Sequence, residues 1–126
     1  MVYIAVLGHG VVGSGVMEVL TTHTESIQKR AKESIEVKYI LDLKEFPGLP
    51  YSDRFTKDFN VILNDPEVRI VVEVMGGLHP AYDFVRACLE NGKSVVTSNK
   101  ELVATKGAEL RSIAQENNLN FLFEAS

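Results

Sequence analysis

The chain opens on an uncharged strand pattern that runs straight into glycines: Val2-Tyr3-Ile4-Ala5-Val6-Leu7, then Gly8-His9-Gly10-Val11-Val12-Gly13. A continuous apolar hexamer rich in β-formers reads as a strand covered on both faces of a parallel sheet, and therefore as a central strand. Beyond the glycines, Val16, Met17 and Leu20 recur at helical spacing before the segment turns polar through His23, Glu25, Gln28, Lys29 and Arg30. That is an amphipathic helix with a solvated end. The glycines thus form G-x-G-x-x-G between a strand and a helix. Gly8 permits the tight turn, Gly10 lets the backbone approach a pyrophosphate, and Gly13 lets helix and strand pack closely, with the helix N-terminus facing the anion. Gly8, His9, Gly10, Val11, Val12 and Gly13 are the candidate dinucleotide contacts, His9 through its backbone. A glycine turn kept for packing alone is the competing reading.

Other classes fall away on composition. Residues 1–17 lack a basic flank, fall short of the roughly 20 apolar residues of a spanning helix and contain four glycines, so neither a signal peptide nor a membrane span fits. Thirteen Lys+Arg against seventeen Asp+Glu leave a net charge of −4, the wrong sign for gripping nucleic acid. A single cysteine and the lack of zinc spacing exclude a disulfide scaffold and a zinc module, and a reducing cytoplasm is expected. With 126 residues, 45% of them hydrophobic, residues 1–126 are expected to form one domain.

A second strand reads from about Ile35 to Leu41, followed by a surface loop at Phe46–Pro50. Asn64-Asp65-Pro66 is a turn before a buried strand over Arg69–Val74 that ends at Gly76-Gly77. Pro80 suits the first turn of a helix whose core face is Tyr82, Val85, Cys88 and Leu89, with Gly92 as its stop. Ser94–Thr97 is a short strand, and Ser98-x-x-Glu101 has capping-box spacing for a helix carrying Leu102, Val103, Leu110, Ile113 and Ala114. Asn117-Asn118 ends it before a last strand at Asn120–Phe123. Such strand-helix alternation predicts an α/β fold, a Rossmann-like open parallel sheet with helices on both faces, whose ligands bind at the strands' carboxyl ends.

The loops after those strands hold the residues with chemistry. Asp42 stands farther beyond Gly13 than the ~20 residues of the usual fingerprint, a difference the long first helix absorbs. Its carboxylate can bind the adenosine ribose hydroxyls and would repel a 2′-phosphate, favouring NAD. Lys44 nearby complicates that inference, and a solvated turn aspartate is the alternative. Glu73 sits in an apolar run where an unpaired carboxylate is costly, so it points to the strand end or has a hydrogen-bond partner. Gly76 and Gly77 either let the backbone pass a ligand or simply turn the chain. Lys100, in Thr97-Ser98-Asn99-Lys100, opens a helix where the macrodipole disfavours a cation. It either meets a phosphate or a substrate oxygen that gains charge, or is a surface lysine with no role. Cys88 reads as core filler, His23 as solvated and His79 as a loop residue.

Together these segments are similar to the amino-terminal cofactor domain of homoserine dehydrogenase: Gly8 to Val16, Val72-Glu73-Val74-Met75-Gly76-Gly77 with Pro80-Ala81, Gly92-Lys93-Ser94-Val95-Val96-Thr97-Ser98-Asn99-Lys100, and Phe123-Glu124-Ala125-Ser126. The resemblance implies NAD(P)-dependent interconversion of L-homoserine and L-aspartate 4-semialdehyde by a cytoplasmic homodimer. It implies cofactor contacts at Met75, Gly76, Gly77, Thr97, Asn99 and Lys100, with Lys100 catalytic at the cofactor-substrate junction. It also implies a role for Glu124 in binding a monovalent cation such as Na+. The family often has arginine where this chain has Leu41, a departure that bears on NADP preference. It continues past the equivalent of Ser126 into a catalytic, dimer-forming domain, so this chain is expected to be an inactive fragment. Two other readings stay open: an aspartate dehydrogenase, and a regulatory nucleotide-sensing module with no use for Lys100.

Overall fold

The computed structural model describes residues 2–9, 35–44 and 47–124. Six parallel strands form one sheet: β1 (Val2–Leu7), β2 (Ile35–Leu41), β3 (Phe55–Thr56), β4 (Val68–Glu73), β5 (Ser94–Thr97) and β6 (Phe121–Phe123). Their order is β3-β2-β1-β4-β5-β6. The uncharged opening hexamer is central as expected, paired with β2 on one side and β4 on the other. The chain steps outward from β1 through β2 to β3 and then crosses back to β4, so the order reverses between β1 and β4. A doubly wound sheet binds its ligand at that point.

Alternation along the strands divides the core. Ala5, Leu7, Val71, Val95 and Phe121 face Val85, Leu89, Leu102 and Leu110 of the helices, while Ile4, Val6, Val37 and Ile40 form a separate cluster. Among the described residues three helices serve the first cluster: α1 (Phe59–Leu63), α2 (Ala81–Glu90) and α3 (Lys100–Glu116). On the opposite face Tyr51 and Phe55 pack against the second cluster. The amphipathic helix expected after the glycines, together with Gly10, Val11, Val12, Gly13 and His23, lies outside the described residues.

Boundaries moved where side chains capture backbone amides. The expected capping box at Ser98 is replaced by Asn99, whose Oδ1 accepts from the Leu102 amide at 3.1 Å, so α3 begins one residue later. Pro80 opens α2 as its cap, without a side-chain hydrogen bond. Cys88, Val85 and Leu89 are fully buried, as read from their spacing, and burial pushes the Cys88 thiol up to about 12. The short β3 and α1 had no reading in the sequence. Both are brief, and β3 exists because Phe55 and Thr56 pair with Ile40 and Leu41.

Candidate functional site

Strand register lines up one row across the carboxyl end of the sheet. Leu7 pairs with Leu41 on one side and with Glu73 on the other, Glu73 pairs with Thr97, and Thr97 pairs with Phe123. The next residues along the chain are Asp42, Gly8, Val74, Ser98 and Glu124. Residues far apart in sequence therefore open on one edge of the molecule. A cleft of about 430 Å³ lies there, walled by Gly8, His9, Leu41, Asp42, Leu43, Lys44, Lys57, Val74, Met75, Pro80 and Phe84. Its size is that of a small-molecule site, and its walls are mostly apolar with a few polar groups.

On the β2 side, Asp42 ties the loops together. Its Oδ2 accepts from the His9 amide at 3.0 Å and its Oδ1 from the Lys44 amide at 2.9 Å. The solvated-turn alternative describes only part of this, since one oxygen reaches across from β2 to the glycine loop. The His9 ring is buried, with Nε2 2.9 Å from the Tyr51 hydroxyl and its edge against Phe55. Gly8 has φ +96°, and a Cβ there would sit 3.2 Å from Met75 Cγ and 3.3 Å from its Cα. Glycine is required at that point both for its conformation and for the close approach of the two loops.

The β4–β5 side is organised by a buried carboxylate. Glu73 is fully buried, its Oε1 accepting from Thr97 Oγ1 at 2.6 Å and its Oε2 from the Met75 amide at 2.7 Å. Of the two readings of Glu73, the structure takes the partnered one. Thr97 Oγ1 accepts from the Asn99 amide at 3.0 Å, and Asn99 Nδ2 donates to the Gly77 carbonyl at 2.5 Å. Thr97 and Asn99, named as cofactor contacts, thus have side chains engaged with the protein itself. Gly76 and Gly77 are exposed, and both lie in the left-handed region, with φ +77° and +75°. Lys100 is exposed at the first position of α3 and has no hydrogen-bond or ion-pair partner among the described residues. Glu124 is exposed just past β6, its amide donating to the Thr97 carbonyl at 2.9 Å. Among the described residues no three His, Cys, Asp or Glu side chains cluster as metal ligands.

Sequence reasoning missed Lys93. It is buried, donating from Nζ to the carbonyls of Asp65 at 2.6 Å and Val68 at 2.7 Å, and burial lowers its pKa from the ordinary lysine value. Its neighbourhood in the sequence, between Gly92 and Ser94, carries no signal that separates such a lysine from a solvated one.

The profile of the homoserine dehydrogenase NAD-binding domain matches residues 8–124. The chain belongs to that family. Homoserine dehydrogenase of Lactococcus lactis is 34% identical over 99% of the chain and 30% of its own length. The crystal structure of a homoserine dehydrogenase from Thiobacillus denitrificans superposes with a TM-score of 0.91 at 38% identity, covering 98% of the chain and 29% of its own. A hyperthermophilic archaeal homoserine dehydrogenase in complex with NADPH, 24% identical, shares the fold with a TM-score of 0.79 over 98% of the chain and 44% of its own. The chain spans about 30% of the length of the curated relatives it matches. Among the described residues no helix is long and apolar enough to cross a membrane.

Proposed function

We propose that this domain binds NAD or NADP across the cleft and supplies the cofactor half of a homoserine dehydrogenase, interconverting L-homoserine and L-aspartate 4-semialdehyde. One observation carries the reading: the Leu41–Leu7–Glu73–Thr97 row sets Gly8, Asp42, the Met75–Gly77 loop and Lys100 along one edge of the sheet, at the reversal of strand order. The match of residues 8–124 to the NAD-binding domain of homoserine dehydrogenase adds support for the cofactor class.

In this reading Gly8 to Gly13 cradle the pyrophosphate and Asp42 faces the adenosine ribose. Leu43, which is 79% exposed, offers an apolar surface to the adenine. Met75, Gly76 and Gly77 border the nicotinamide half, with Thr97 and Asn99 behind them. The bound nicotinamide supplies hydride transfer. The chain's own part is electrostatic: the Lys100 ammonium, exposed and without a partner among the described residues, stands ready for a substrate oxygen that gains negative charge. Glu124 would give one oxygen to a monovalent cation, the other ligands coming from outside the described residues, and no step depends on that ion. Residues 1–126 act as one domain of a cytoplasmic homodimer, and the negative net charge supports a protein without a nucleic-acid partner.

Titration of the purified chain with NADH and NADPH, followed by nicotinamide fluorescence, tests the cofactor assignment. The whole protein is expected to reduce NAD or NADP with L-homoserine. Binding without turnover of homoserine, but with turnover of aspartate, would replace the alcohol reaction with an amine one. Binding with turnover of neither would favour a nucleotide sensor.

A further inference from the structure

We propose that Glu73 is a positioning residue: its buried carboxylate, through Thr97 and Asn99, sets the Met75–Gly77 loop against the start of α3 and hence against Lys100. The inference rests on the reading above only in taking those two segments to border the nicotinamide.

Nothing in the strand itself calls for a carboxylate at this place. Glu73 ends β4 on the face that carries Val71 and the helices, and an apolar residue would fill the position without the desolvation cost of a buried charge. Its two oxygens serve two different elements. One holds the Met75 amide as the chain leaves β4, and the other holds the Thr97 hydroxyl on β5. Because a carboxylate only accepts, the hydroxyl proton is directed at Glu73, which leaves Thr97 Oγ1 free to accept from the Asn99 amide. Asn99 then caps α3 through Leu102 and reaches back to the Gly77 carbonyl. The links close a ring that runs from Glu73 through Thr97 and Asn99 to Gly77 and returns along the chain. Lys100 follows Asn99 directly, so its backbone is fixed relative to the loop although its own side chain makes no hydrogen bond or ion pair among the described residues.

The ring has a sense that a neutral isostere cannot copy. In Glu73→Gln, if the amide oxygen keeps the Met75 amide, the NH2 group faces the Thr97 hydroxyl. That hydroxyl then receives two donors and has no acceptor for its own proton. Coupling of this kind predicts that a change at Glu73 is felt at α3, on another element.

Amide hydrogen exchange of the full chain without cofactor tests it. Glu73→Gln is expected to speed exchange at Met75, Asn99 and Leu102 together, by roughly tenfold for the loss of one hydrogen bond, with the amides of β1 unchanged. Thr97→Val should reproduce the effect at Asn99 and Leu102, and Thr97→Ser should return it to the wild-type level. These two variants decide the matter if Glu73→Gln does not fold. An effect confined to Met75, or a serine no better than the valine, overturns the proposal. With cofactor, Glu73→Gln should weaken NADH about tenfold by the same hydrogen-bond loss while leaving AMP, which occupies the Asp42 side, unchanged. Equal losses for both ligands, or none, would also overturn it. Should the wild-type chain bind neither NADH nor AMP, the cofactor reading fails, and the exchange data still decide whether the ring couples loop and helix.

Discussion

Strand β5 carries a lysine near each end, and the two have opposite fates. Lys93, just before the strand, is buried with its ammonium on the carbonyls of Asp65 and Val68. Asp65 is itself a hub: its carboxylate accepts from Lys38 at 2.7 Å, from the Tyr39 hydroxyl at 2.8 Å and from the Glu67 amide at 2.9 Å. Lys100, just after the strand, is exposed and has no partner among the described residues, in the helical turn where the backbone dipole opposes a cation. At the amino end Lys93, Lys38, Tyr39 and Asp65 meet one another or the backbone, and the sum is stability. At the carboxyl end Glu73, Thr97 and Asn99 are satisfied underneath so that one charge can stand unsatisfied above them. Open parallel sheets separate the two tasks because helices and glycine turns start at the carboxyl edge, where amides and ligands meet.

The contrast can be broken most forcefully at Lys93. Lys93→Ala strands the carbonyls of Asp65 and Val68, the second of them buried, and should lower stability by about 3 kcal/mol, read as a fall in the urea midpoint; an unchanged midpoint would mean the amino end is not structural. Lys100→Ala should do the reverse. It should cost the whole enzyme about 10²-fold in kcat, while the urea midpoint stays level or rises slightly as the dipole conflict disappears. A third test uses acid. The Lys38 ammonium beside Asp65 holds its carboxyl down at about 2, below the ordinary 3.8. A lowered folded-state pKa gives stability that is present above the ordinary value and lost as the pH falls from 3.8 toward 2. Asp65→Asn should remove that part of the acid slope, measured by the urea midpoint between pH 5 and pH 2.5. The smallest effect is expected at Asp42. Removing its charge in Asp42→Ala should raise NADP affinity relative to NAD by roughly fivefold, as for one charge in a partly hydrated site. Comparative titrations check this, and an unchanged ratio would mean that the carboxylate only ties His9 to Lys44.

Strand β1, strand β2 and the buried face of α2 were readable because their patterns are local: an apolar hexamer, a β-branched run, Val85, Cys88 and Leu89 at helical spacing. Strand β3 was not, since Phe55 and Thr56 become a strand only by pairing with Ile40 and Leu41. The start of α3 was misplaced by one residue for a related reason. Ser98 and Asn99 are both good caps, and the Thr97 hydroxyl chose between them by holding the Asn99 amide. At the cleft, Gly8 and Asp42 could be picked out by type and place, while Gly10 to Gly13 lie outside the described residues. Glu73 could be seen to need a partner, yet nothing in Val72-Glu73-Val74 names Thr97. Lys93 and Lys100 are both lysines at a strand end, and spacing alone could not tell them apart.

By itself, the order of residues determined the longer strands, the helices α2 and α3, that the sheet is parallel and that a glycine, Gly8, follows the first strand, because these depend on apolar periodicity and backbone freedom within a few residues. Only the tertiary structure decided which side chains meet across the sheet. Register brought Glu73 beside Thr97, and burial turned Lys93 inward and left Lys100 outside. Whether a charge is held or left available is set by the neighbours that supply or withhold hydrogen bonds, and in this fold those neighbours come from distant parts of the chain.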